Sequence, residues 1–401
     1  MHALLRRSDV RLLLTGQSLS MFGDWAMIIV FGIWAKVLTD SNAAAGLAFF
    51  ALALAGLLAP IGGLVVDRLP KRPLMIATHV TMAGVVCLLL LVHDRGDLWL
   101  LYVVAALYGL GGNLFGAARS AMLKAMLPDE QLGEANGALQ SVREGLRLVA
   151  PLAGAGLYAA FGGAVVALVD AATFVLSAAT LVKLHFVEPP VAPREHHFLR
   201  EISAGIVHIG RTRVLRQLTV GIAAAMLLVG FTETLVFALT SEGLHHAPAF
   251  VGVLDSCQGA GAIVGGLTAP WLLRRIGDLR LAGVGVLVFG LGDGLWLVRL
   301  VPVVLVSIAI AGAGIVWAVV ALATAYQRRS PSHVQGRVAA AANMLFSVPQ
   351  TISIAAGAAL ITVVDYRVEI IAIAVVLTLS ALYMLTRPSE EPEVAPGPAP
   401  A

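Results

Sequence analysis

Apolar residues fall in twelve long blocks, at about 12–38, 43–66, 73–92, 98–122, 138–160, 162–184, 214–240, 249–273, 281–300, 302–326, 338–362 and 368–386, divided by short polar turns. At 1.5 Å per residue, about 20 apolar residues in a helix cross the roughly 30 Å hydrocarbon layer of a bilayer. Each block therefore predicts a membrane helix. Gly and Pro stand inside several blocks, which membrane helices tolerate better than soluble ones do.

The turns carry the next signal. Gly62-Gly63-Leu64-Val65-Val66-Asp67-Arg68-Leu69-Pro70-Lys71-Arg72 sets one acid and three bases between two blocks, where they need water, headgroups or each other. Its frame returns 203 positions later as Gly265-Gly266-Leu267, with Arg274-Arg275 standing where Lys71-Arg72 stood. Pro128 and Gly133 match Pro331 and Gly336 at the same offset, and Gly154 matches Gly357. The chain is an internal repeat of two six-helix halves in parallel orientation, a layout that one large class of transporters uses.

Composition agrees with the pattern. Hydrophobic residues make up 59% of the 401 positions, charged residues 13%, and mean hydropathy is +0.88, whereas soluble domains run near 25% charged. The expected fold is an all-α membrane protein of twelve transmembrane helices in two pseudo-symmetric bundles. Residues 1–187 form the first bundle, 188–213 a linker with a short surface helix after Phe198, 214–387 the second bundle, and 388–401 a disordered Pro- and Glu-rich tail. Twenty of the 27 basic residues lie at the two ends or in the turns after even-numbered blocks, and only Lys36, Arg95, Arg299 and Arg367 in the opposite turns. The positive-inside rule puts both termini in the cytoplasm of a cell inner (plasma) membrane protein. The net charge of +3 then reflects topology, and no nucleic-acid partner is expected. Cys87 and Cys257 stand far apart in apolar blocks, and the histidines have no metal-ligand spacing, so no disulfide framework, metal or cofactor is expected. The apolar run after Arg6, Arg7 and Arg11 is too long for a signal peptide and reads as a retained first span.

The first-repeat turn, read as Gly63-x-Leu-x-x-Asp67-Arg68-Leu69-Pro70-Lys71-Arg72, resembles the signature loop of the major facilitator superfamily, with Pro70 in place of the usual glycine. Arg119-Ser120-Ala121-Met122-Leu123, Leu127-Pro128 and Glu134-Ala135-Asn136-Gly137 are similar to the bacterial branch containing macrolide and siderophore exporters. Gln327-Arg328-Arg329 through Gly336-Arg337-Val338 looks like the second-half counterpart. The resemblance implies a cytoplasmic latch built from Gly63, Asp67, Arg68, Arg72, Glu134 and Arg337. Asp67 would lie at the N-terminus of the span starting near Arg337, where a negative charge is favourable, and Arg68 or Arg72 would pair with Glu134. Ala150-Pro151-x-x-Gly154-Ala155 weakly resembles the family's antiporter motif. The arginine that many proton-driven drug exporters carry in mid-span four is absent here, since 103–110 holds no charge.

Ionisable residues within blocks mark function or assembly, because a central charge costs about 2.5–3.5 kcal/mol on insertion scales. Asp24 stands about twelve residues, roughly 18 Å, into the first span, beside Gly23 and Trp25. A carboxyl so far from water suits proton loading and release, or an interhelical hydrogen bond that assembles the bundle. Asp170 and Glu233 are the other proton-coupling candidates, while Asp255 and Asp293 are expected near solvated outer ends. Glu144 and Arg147 form an ordinary i, i+3 pair. Gly112-x-x-x-Gly116 and Gly261-x-x-x-Gly265 read as packing seams, and Trp25, Trp34 and Trp317 as candidate walls of a substrate cavity.

The pattern excludes a phosphate-loop ATPase, since Gly-Lys occurs nowhere, and presents no nucleophile, acid–base pair or metal cluster for an enzyme. The expected function is secondary active export of small amphiphilic molecules, a drug or secondary metabolite, by proton antiport in a monomer. Partners are the cargo, protons and lipid. The alternatives are a lipid, siderophore or metabolite carrier of the same fold, or a non-transporting receptor.

Overall fold

The computed structural model describes residues 8–57, 62, 65, 66, 68–184, 188 and 198–387, and these contain helices and turns but no strand. The long helices are α1 (Ser8–Thr39), α2 (Asn42–Leu57), α3 (Lys71–Cys87), α4 (Leu98–Met126), α5 (Asp129–Phe161) and α6 (Gly163–Val182). After α7 (Phe198–Arg211) come α8 (Arg213–Val229), α9 (Thr232–Ala238), α10 (Val251–Ile276), α11 (Asp278–Gly294), α12 (Val301–Arg329), α13 (Ser332–Leu360) and α14 (Tyr366–Leu385).

Among the described residues, ten helical stretches are long and apolar enough to cross a membrane. The expected spans at 43–66 and 138–160 are not in that set. The former holds α2, 16 residues long, and beyond it only residues 62, 65 and 66 are described. The latter is α5, whose 33 residues carry Arg143, Glu144 and Arg147 ahead of the apolar end. These charges lower its hydropathy because α5 lines an interior instead of lipid. The seventh span is one stretch broken at Gly230 and Phe231, between α8 and α9.

Two turns are as tight as a chain allows. Single residues, Gly162 and Gly277, both at φ 79°, join α5 to α6 and α10 to α11. A side chain there would be strained in the left-handed region.

The packing repeats. In the first half α1 packs on α2, α5 and α6, α3 on α4 and α6, and α2 on α4. In the second, α8 packs on α13 and α14, α11 on α12 and α14, and α10 on α12. The matched glycines serve matched contacts: Gly154 of α5 lies on the α1 backbone at Ala26, and Gly357 of α13 on the seventh span at Phe231. Gly261 and Gly265 of α10 sit against Ala309 and Ala313 of α12, the expected seam. Gly112 and Gly116 do not form one, because both look into open space. Burial gathers into one cluster spanning residues 202–384 and two built mainly from residues 10–184. The halves meet where α5 packs on α10 and where α2 packs on α9 and α13.

One end of the bundle is basic and cross-tied. Arg72 donates from Nε to Leu181 O (2.9 Å) and from Nη2 to Val182 O (2.6 Å), the last carbonyls of α6. Glu188 accepts from the backbone N–H groups of Lys71 and Arg72, at 2.6 and 3.2 Å, and so caps the positive end of α3. In the second half Arg329, closing α12, pairs with buried Asp278, the first residue of α11. Amphipathic α7 lies on α13, with Gly205 against the Arg337 carbonyl and the His208 ring 3.2 Å from Arg329 O.

Candidate functional site: a polar cavity between the halves

A cavity of about 910 Å³ lies between the halves. Its wall is made by α1 (Gln17, Met21, Asp24, Trp25, Ile28), α2 (Phe49, Leu52, Ala53), α3 (His79, Met82), α4 (Tyr108, Gly112, Asn113, Phe115, Arg119 and Ser120 among others), Arg143, Phe174, Glu233 and α13 (Ser347, Gln350, Thr351, Ile354). It reaches Arg119 and Ser120 toward the basic end of α4. At the opposite end the halves touch. Asn42 Nδ2 donates to Glu242 Oε1 (2.7 Å), the Phe49 and Phe237 rings lie 6.1 Å apart, and Gly252 of α10 packs on Pro151 and Ala155 of α5. The mouth therefore faces the basic end.

The most ordered chemistry is in the first half. The Tyr108 hydroxyl lies 2.9 Å from Asp24 Oδ1 and 2.9 Å from Asp170 Oδ2. Three helices supply this bridge, and residue size lets them close on it. Gly23 has no side chain, and a Cβ there would occupy the space of the Asp170 carboxylate and the Thr173 hydroxyl. Thr173 Oγ1 donates to Asp170 O at 2.8 Å. Asp170 and Tyr108 are only 1% and 5% exposed. Tyr108 continues into an aromatic row: Phe31 and Phe174 flank it at 5.5 and 5.8 Å, and His79 lies 5.1 Å from Phe174 and stacks on Phe115 at 3.7 Å. Among the described residues, none hydrogen-bonds to buried His79 Nδ1 or Gln17 Oε1.

A tyrosine hydroxyl has one hydrogen to give. If both carboxyls are ionised, one 2.9 Å contact sets lone pair against lone pair. One proton on either acid removes the conflict, since that acid donates to the Tyr108 oxygen while Tyr108 donates to the other. The bridge fits a single shared proton.

Asp24 and Asp170 are thus brought together. Glu233 lines the same cavity from the second half, in the first turn of α9 directly after the break at Gly230 and Phe231. Trp25 lies in the cavity wall, 5.9 Å from the Arg147 guanidinium. Trp34 and Trp317 lie elsewhere: Trp34 packs on Gly163 and Tyr158, and the Trp317 indole donates to Thr268 Oγ1 at 2.9 Å. Asp293 is not at a solvated end but 2% exposed within the second bundle. Arg119 lines the cavity as well. Of the latch residues, Gly63, Asp67 and the Glu134 side chain lie outside the described residues. Arg72 binds the α6 carbonyls, and Arg68 and Arg337 are exposed.

Tyr108 was not singled out from the sequence. The signal available was a lone hydroxyl in a span-four segment, 103–110, that otherwise offers no polar side chain. Arg147 read as half of a local pair, yet it also donates to Gln258 Oε1 (3.3 Å) across the interface, while Glu144 stands 4.0 Å away. Local spacing carries no information about a partner 111 residues distant.

The sequence model of the Major Facilitator Superfamily matches residues 13–242 and 221–401. The MFS-type transporter YfiS of Bacillus subtilis is 27% identical over 70% of this chain and 68% of its own. Macrolide efflux protein A of Enterococcus faecalis is 22% identical over 61% and 76%. Among solved structures, a bacterial homologue of the iron transporter ferroportin in an inward-facing state superposes with a TM-score of 0.75 at 16% identity, over 95% of this chain and 98% of that one. The POT family transporter PepTSo does so with a TM-score of 0.77 at 12% identity, over 94% and 96%.

Proposed function

The chain belongs to the major facilitator superfamily, and on that premise we propose that this transporter exports small amphiphilic molecules by proton antiport with alternating access. The observation that carries the reading is the Tyr108 hydroxyl held 2.9 Å from both Asp24 and Asp170. A site fitted to one proton, in the wall of the cavity between two moving halves, can load that proton from one side and release it to the other. The carboxylate left behind provides the charge difference that cargo binding exploits.

The protein is a multi-pass membrane transporter for a small molecule. Twelve helices cross the inner membrane, residues 1–187 and 214–387 move as two bundles, and the protein works as a monomer. The basic end faces the cytoplasm, so the cavity here is open inward. In the opposite state the Gly63–Arg72 turn closes on the start of α13, with Asp67, Arg68, Arg72, Glu134 and Arg337 as the latch. The likeness to macrolide efflux protein A and the few charges of the wall favour lipophilic cargo.

The test is accumulation of lipophilic antibiotics, macrolides included, and dyes in an efflux-deficient bacterial host expressing this chain. Expression lowers accumulation, and both Asp24→Asn and an uncoupler abolish the difference. Accumulation equal to the empty vector across the panel overturns export, and export unaffected by Asp24→Asn and the uncoupler overturns proton antiport.

A further inference from the structure

The α5–α10 seam contains a charge arrangement that the proton bridge does not use. Arg147 of α5 reaches across to Gln258 of α10, and its guanidinium lies over the Trp25 ring. From the second half, Glu233 lines the cavity together with Trp25, and Asp255 stands one turn before Gln258 on α10. Glu144 is 4.0 Å from Arg147 on the first-half side. Three carboxyls, two of them on the opposite half, thus gather at the end of the seam where Arg147 lies.

Its position gives the arrangement a task. Beyond Arg147, toward the end away from the mouth, α5 and α10 are in backbone contact: Gly259 meets Leu148, and Gly252 meets Pro151 and Ala155. Arg147 sits where the cavity ends and this seal begins. Opening the opposite end requires the seam to part, which draws the guanidinium away from Glu233, Asp255 and Gln258. Parting the seam takes the Gln258 hydrogen bond from the guanidinium, and a charged group left buried without its partner is costly unless another group replaces it. Trp25 offers a face that holds either a guanidinium or a ligand cation.

We infer that Arg147 is an internal counter-cation that seals the α5–α10 seam, and that a positively charged group on the cargo releases it by taking its place beside Glu233, Asp255 and Trp25. The inference rests on the transport reading and narrows its cargo to lipophilic cations. Transport then couples to opening because cargo and Arg147 compete for the same carboxyls.

Two spin labels across the far end of the seam test this, at Phe161→Cys and Ala247→Cys, both exposed, in a background with Cys87→Ala and Cys257→Ala. The doubly labelled protein in nanodiscs should show one short distance. Arg147→Ala should raise the ratio of long to short distances by about fivefold or more, the low end of allosteric couplings. Arg147→Lys, which keeps the charge, should remain near the parent, and that separates a charge role from simple packing. Tetraphenylphosphonium should lengthen the distance in the parent, while isosteric, anionic tetraphenylborate should not. A parent-like distribution in Arg147→Ala, or equal effects of the two ions, overturns the inference. Flux insensitive to Asp24→Asn alongside distances that still answer to Arg147→Ala would refute proton antiport and leave this inference standing.

Discussion

The two halves share a frame and differ in what they do with it. In the first, Asp24 in the cavity wall is joined through Tyr108 to Asp170 buried behind it. In the second, Asp293 and Glu369 are 2% and 4% exposed, outside the cavity wall, and the wall itself receives Ser347, Gln350 and Thr351, with Glu233 as its one acid among the described residues. At the basic end the contrast recurs. The first half ties α3 to α6 through Arg72 on carbonyls, and the second ties α11 to α12 through the Asp278–Arg329 ion pair. Repetition preserves helix positions, because those depend on glycine contacts and apolar faces. Chemistry diverges, because single polar side chains change without disturbing the packing.

The largest expected effect separates the two cavity walls. Asp24→Asn, Asp170→Asn and Tyr108→Phe should each lower cargo-driven proton release in proteoliposomes by about tenfold or more, equivalent to ~1.4 kcal/mol of coupling. Ser347→Ala in the opposite wall should stay within about twofold. Equal losses on both sides would dissolve the division of labour.

Stability should show the converse at the basic end. Arg329→Ala leaves buried Asp278 without its cation and should cost about 3–5 kcal/mol. Arg72→Ala gives up hydrogen bonds to carbonyls and should cost about 1.5–3 kcal/mol. Denaturant titration in detergent, followed by tryptophan fluorescence, measures both, and the reverse order would contradict the stronger tie assigned to the second half.

The two Gly-x-x-x-Gly motifs sharpen the contrast further. Gly261→Val has no room against the Ala309 carbonyl and should destabilise by about 1–3 kcal/mol. Gly112→Val meets nothing within 4 Å, so folding should be unchanged while the side chain narrows the cavity and weakens cargo binding. Thermal stability and ligand binding on the same two variants decide the point.

The smallest effect lies in the 93–97 turn of the first half, outside the membrane spans. There the backbone N–H groups of His93 and Asp94 donate to Asp97 and hold its carboxyl below the ordinary carboxylate range. A depressed carboxyl stabilises the turn above its unfolded value, and that contribution is lost as pH falls through the folded one. The protection factors of the 93–97 amides, taken against intrinsic exchange at the same pH, should therefore fall at acid pH, and Asp97→Asn should lower them at neutral pH and remove that fall.

The sequence by itself determined the helical membrane class, the repeat and the places where polar groups enter the bilayer, because hydropathy, spacing and offset are properties of the chain in order. Ten of the expected spans are apolar enough to be read without a structure. α5 is harder to read that way, because its charges face a partner half and a cavity instead of lipid. Asp24 and Asp170 were legible one at a time as costly buried acids, but not as a pair. Only the tertiary structure set Asp24, Tyr108 and Asp170 on one hydroxyl, turned Gly112 toward the cavity, moved Trp34 and Trp317 out of it and carried Arg147 across to Gln258. Each depends on how far helices rotate about their own axes when they pack, and the covalent chain leaves that rotation free until the neighbouring surfaces meet.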